Sequence, residues 1–129
     1  MSAAQELAEA VFARLDAALD VPVHDAPPRG VAFPYAVIGP IRSADWSADD
    51  FSGEEHALII HVWSRYQGAR EVRGILGDVK AALNGAGLSL AGHRLVLLRF
   101  TGAEDVREAD GATRHGIARF RALTESVES

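Results

Sequence analysis

Cysteine is absent from this chain of 129 residues. That absence excludes a disulfide framework and thiolate chemistry. It also leaves any zinc site to histidine and carboxylate alone, the less common structural recipe. Basic charge is scarce: 13 lysines and arginines against 18 acids give a formal net charge of −5. A free-standing DNA binder carries a basic face and a high pI, whereas this balance repels phosphate on average. Long apolar runs are missing too. None approaches the roughly 18 residues of a membrane helix. The opening MSAAQELAEA has neither the basic nor the apolar region of a secretory leader. The expectation is an unprocessed chain made inside the cell, without membrane contact.

Catalytic motifs are also lacking. There is no HExxH pair, no GxSxG elbow and no GxxxxGK[ST] phosphate loop. Five histidines are present: His24, His56, His61, His93 and His115. His56 and His61 fall on one expected strand at an odd separation, so they face opposite sides and share no metal there. Asp49-Asp50 and Glu54-Glu55 are paired carboxylates in a flexible stretch, whereas acid–base chemistry needs held geometry. Arg65, Arg70 and Arg73 gather near the start of a helix and read as a solvated basic face. The residues therefore offer no catalytic group, no metal site and no cofactor.

What is present is patterned. Leu7, Ala8, Val11, Phe12, Leu15 and Leu19 recur at three- and four-residue spacings, the stripe of an amphipathic helix. Ser2 is placed to cap it and Pro22 to end it. DAPPRG, residues 25–30, is a turn-rich linker. Tyr35–Ile41 is short and apolar, a strand ending near Pro40. Arg42–Glu55 has no consistent period and reads as a long polar loop. In His56–Ser64, Leu58, Ile60 and Val62 share one face of a strand and Ile59, His61 and Trp63 the other. Gly68–Asn84 carries Val72, Ile75, Leu76, Val79, Ala82 and Leu83 at helical spacing. Leu88–Leu90 is a short strand candidate, and Arg94–Thr101 a long one. Gly102–Thr113 reads as a charged loop. Arg114–Glu125 is the last strand, with Ala118, Phe120 and Ala122 on one face and Ile117, Arg119 and Arg121 on the other.

The reading is one α+β domain over residues 1–129: a four-stranded, mainly antiparallel sheet with two helices on one face, in the order αββαββ. Both polar loops are expected to be mobile in the isolated subunit. Trp46 and Phe51 stand in an acidic loop and either fold back onto the domain or anchor a neighbour, as interface aromatics do. The interface candidates are Trp46, Asp49, Asp50, Phe51 and Glu54 in the first loop. Glu104, Asp105 and Arg107 join them from the second, and Arg119 and Arg121 from the sheet face.

The motifs also carry a resemblance. FPYAVIG at residues 33–39, Asp45-Trp46-Ser47, GEEH at 53–56 and HVWSR at 61–65 appear in the order seen in the tail-completion (tail-terminator) family of tailed phages and gene transfer agents. Gly68, Glu71-Val72, Ala82-Leu83, LSLAGHRLV at 88–96, DGATR at 110–114 and FRALTE at 120–125 continue the resemblance. It implies a non-catalytic hexameric ring on the head-proximal end of a tail, joining the tail tube protein to the head-side stopper. DNA would be passing cargo only. The chain would be made in the bacterial cytoplasm and built into a virion or phage-like particle at the head–tail joint, with a monomer among the states open to the isolated chain. An acidic lumen formed by Asp49, Asp50, Glu104 and Asp105 would let DNA slide. The rival readings are another head–tail connector component, a small α+β enzyme, and a dimeric ligand-binding or regulatory module.

Overall fold

The computed structural model describes residues 1–127. Helix α1 spans Ala3–Ala18, and Ser2 caps it by accepting a hydrogen bond from the Gln5 N–H. Strands β1 (Val23–His24), β2 (Tyr35–Ile38), β3 (Arg42–Asp45) and β4 (Gly53–Ser64) follow. Helix α2 (Arg70–Leu83) then leads to β5 (His93–Arg107) and β6 (Arg114–Ser126). Among the described residues no helix is long and apolar enough to cross a membrane.

The sheet has six strands rather than the expected four, ordered β1-β2-β4-β6-β5, with β3 also paired to β4. All pairs are antiparallel except β1 with β2. β2 and β3 lie along the same edge of β4, one against Ile60–Trp63 and the other against Glu54–Ala57. They act as one strand interrupted around Pro40, where proline removes a ladder donor. The expected loop 42–55 is therefore largely a hairpin. Every residue of β3 is exposed, so no apolar alternation announces it; backbone pairing with β4 holds it. The expected loop 102–113 is corrected in the same way. β5 runs on to Arg107 and pairs with β6 as far as Arg114, leaving only a tight turn. Leu88–Leu90 forms no strand and contributes an isolated bridge, Ser89 to Arg94.

One face of the sheet carries the core. Leu58, Ile60 and Val62 of β4 and Ala118, Phe120 and Ala122 of β6 are buried there. Both helices cover that face through Leu7, Val11 and Leu15 of α1 and Val72, Val79 and Leu83 of α2. Gly116 lets α2 approach: a Cβ there would meet Val72 Cγ2 at 2.8 Å. The buried Glu6 carboxylate ties α1 to the start of β5, accepting from Gly92 N–H at 2.7 Å and lying 3.1 Å from His93 Nδ1. The opposite face has no helix over it.

Candidate functional site

Two features stand out on the side of the sheet away from the helices: an arginine-rich depression and the tip of the β3–β4 hairpin. Strand register builds the first. Arg42 of β3 lies opposite Ala57 of β4, Ala57 opposite Arg121 of β6, and Arg121 opposite Arg99 of β5. The adjoining row holds Ile59, Arg119 and Gly102. Arg42, Arg119 and Arg121 stand around a hollow of about 590 Å3 with Glu55, Ala57 and Ile59, and Arg99 stands outside it. Like charges directly opposed across strands are unfavourable. Two are relieved: Arg119 donates to Glu104 at 2.8 Å, and Arg121 bonds Glu55. Arg42 and Arg99 are exposed and have no carboxylate partner among the described residues.

Hydrogen bonds tie the hairpin tip together. Trp46 N–H donates to Gly53 O at 2.9 Å, and Ala48 and Phe51 exchange backbone hydrogen bonds. Ser47 Oγ accepts from Gly53 N–H and donates to Asp45 Oδ1. Trp46 and Phe51 pack edge to face, centroids 5.1 Å apart. Both rings are half-buried against each other on the hairpin, and neither joins the hydrophobic core cluster. Asp49 and Asp50 at the tip are exposed.

The candidate residues thus divide into groups. Trp46, Asp49, Asp50, Phe51 and Glu54 share the hairpin. Glu104, Arg119 and Arg121 share the open face. Asp105 lies on the helix-covered face, where it accepts from Arg73 at 2.9 Å, and Arg107 ends β5 opposite Arg114. Glu104 and Asp105 are adjacent on a strand and point to opposite sides. Within one subunit, the four acids expected to line a channel therefore do not share one face. The sequence reading missed Arg42, Arg99 and Glu55. Arg42 was hidden because β3 has no apolar alternation; Arg99 was legible from its alternation with buried Leu98.

It also missed a histidine cluster further along the open face. His61 Nδ1 and His115 Nε2 are 2.7 Å apart, and His115 Nδ1 is 3.2 Å from Glu108 Oε1. Trp63 stacks on His115 at 3.8 Å between ring centroids. Neighbouring strands supply both rings: His115 lies opposite Trp63, and His61 opposite Ile117. Burial pushes both histidines below their ordinary range. Each ring's other neighbours act second: Arg119 and the His115 ring lower His61 further, while Glu108 and Glu104 oppose the shift at His115. His56 is fully buried between Ser43 Oγ (2.7 Å) and Thr124 Oγ1 (2.9 Å) and is lowered by burial as well, against Glu54. Among the described residues no three such side chains gather to hold a metal ion.

A pH dependence follows. Above the unfolded-state value near 6.5 both states are neutral and full stability is present. Below it the unfolded chain takes up protons that the folded chain resists, so stability falls until pH drops beneath the folded values. Melting temperature is expected to fall between about pH 7.5 and 5.5, and His115→Phe, which keeps an aromatic ring for Trp63, to flatten that fall. An equally steep decline in the variant would contradict the assignment.

A second hollow, of about 680 Å3, lies between α1 and the β1–β2 edge and is lined by Ala8, Phe12, Val23, Ile38 and Ile41. His24 Nε2 is buried nearby without a hydrogen-bond partner among the described residues.

Comparison with known proteins places this geometry. A family described as tail completion protein gp17 matches residues 8–125. The tail completion protein gp17 of Bacillus phage SPP1 is 30% identical over 99 residues, which is 77% of this chain and 73% of that protein. A chain from the virion of a native gene transfer agent particle superposes with a TM-score of 0.86 at 31% identity, covering 98% of this chain and 100% of that one. The structure of bacteriophage SPP1 gp17 matches with a TM-score of 0.61 at 23% identity, over 98% and 92% of the two chains. The last comparison establishes a shared fold.

Proposed function

This chain belongs to the tail completion protein family, and from that membership we propose that it closes as a hexameric ring on the head-proximal end of a tail tube. The ring ends tube growth and joins the tail tube protein to a head-side stopper, with DNA leaving through its lumen. The role is structural and non-catalytic. The observation that carries the reading is the end-to-end match to a chain of a gene transfer agent virion.

The architecture supports it. A cyclic ring needs two different patches that meet head to tail. This chain offers an arginine-bearing open face and an acidic hairpin tip, two different patches. It also offers two sheet edges, β5 and β1, where a neighbour can add backbone hydrogen bonds. We place Trp46, Asp49, Asp50, Phe51, Glu54, Glu104, Arg119 and Arg121 at subunit contacts, and Asp105 and Arg107 at the rim of the β5 edge. The test is to add the purified chain to tail tubes of its particle. A six-fold ring on one end, with tube growth arrested, is the expected result; tubes left bare and growing would remove the reading.

A further inference from the structure

We infer that the arginine-lined hollow on the open sheet face is the seat for the Asp49-Asp50 hairpin tip of a second copy of this chain. The inference rests on the ring reading and names the contact that would link adjacent subunits.

Charge complementarity carries it. The chain as a whole is acidic, at −5, yet its uncovered sheet face collects Arg42, Arg99, Arg119 and Arg121 on four neighbouring strands. Glu55 and Glu104 neutralise Arg121 and Arg119. Arg42, which lines the hollow, and Arg99, beyond its edge at the far end of the same register row, have no carboxylate partner among the described residues. Several exposed acids form no ion pair among the described residues, Glu9, Asp16, Asp20, Asp25 and Asp78 included, but Asp49 and Asp50 are the two that are adjacent, and they stand together at a hairpin tip. The acidic tip is thus complementary in charge to this arginine-bearing face.

Geometry rules out self-pairing. The reciprocal Ala48–Phe51 bonds and the Trp46–Gly53 bond hold the tip in line with its own strands, so it does not fold back onto the face of the sheet it extends. A neighbour's face is free to receive it. Behind the acids, Trp46 and Phe51 present a half-buried aromatic pair to the apolar floor at Ala57 and Ile59. That is the combination of an aromatic anchor with a charged rim found at strong contacts. Tip and hollow are different patches, so the contact is heterologous and propagates around a ring.

Charge reversal tests this with two variants, Asp49→Lys/Asp50→Lys and Arg42→Glu/Arg99→Glu. All four residues are exposed and unpaired, so unchanged melting curves confirm that the variants are folded. Self-association is read by native mass and by ring formation on tail tubes. Each variant alone is expected to associate at least about tenfold more weakly than the wild type, with a steep salt dependence in the wild type. An equimolar mixture of the two is expected to recover rings. In an alternating ring every contact again joins a basic patch to an acidic one. Wild-type strength in either variant alone would overturn the contact while leaving the ring reading intact. Loss in both variants without rescue in the mixture would also overturn it. A hollow that instead retains a duplex DNA fragment, lost in Arg42→Glu/Arg99→Glu with self-association unchanged, would assign the arginines to nucleic acid. A wild type that never self-associates, even on tubes, would remove the contact and the ring together.

Discussion

Replacing Phe120 by alanine is expected to cost about 3–5 kcal/mol of stability, the range for deleting a fully buried phenylalanine. Phe120 heads the buried side chains by volume at 2% exposure. It stands where the two halves of the sheet meet, opposite Leu58 on one side and Phe100 on the other. The Phe100 ring packs on it edge to face at 5.7 Å. Neither strand can move in to fill the space, because each is fixed by a long backbone ladder. The loss would be a large share of the roughly 5–15 kcal/mol of a typical domain. Urea unfolding checks it: the midpoint should fall with the slope unchanged. A loss under about 1 kcal/mol would mean that the core rearranges around position 120.

Gly53→Val is expected to act differently, through overpacking that detaches the hairpin. A Cβ at Gly53 would come within 2.8 Å of Thr124 O and 2.9 Å of Trp46 O. Both are backbone oxygens, Thr124 within the β6 ladder, so neither yields as the far end of a flexible side chain would. Overpacking of this kind costs about 1–3 kcal/mol, more where backbone must shift. The residue forced to move is the one whose carbonyl receives Trp46 N–H and whose N–H is taken by Ser47 Oγ. Amide exchange should therefore speed up across residues 45–53 in the variant while α2 and β6 stay protected. The tip would lose its fixed direction, and ring formation should weaken beyond what the stability loss accounts for. Unchanged protection across the hairpin would contradict this account.

The helices and the core strands were legible because their burial is periodic. All six apolar positions read for α2 are buried, and the alternation of β4 and β6 placed Leu58, Ile60, Val62, Ala118, Phe120 and Ala122 on the covered face. The hidden strands share a physical cause. β3 is exposed at every position, and the second half of β5 is an edge strand with charged side chains on both faces. Backbone pairing holds such segments and leaves no hydropathy signal. Their reading as loops also hid which candidate residues share a face. Asp105 was grouped with Glu104 although the strand sends them to opposite faces, and Arg42 was read as the start of a loop. The His61–His115 pair had no signal in sequence spacing, because cross-strand register creates it. By contrast, the ordered motifs from FPYAVIG to FRALTE identified the family correctly. The signal lay in their succession along the chain, which local pattern alone does not capture.

The central claim is that this chain ends a tail by closing a ring on it. The most direct measurement is negative-stain imaging of the purified protein mixed with tail tubes of its particle, alongside its mass in solution. The account predicts a six-fold ring on one end of each tube. Bare tubes, with the protein remaining monomeric or dimeric at every concentration, would contradict it.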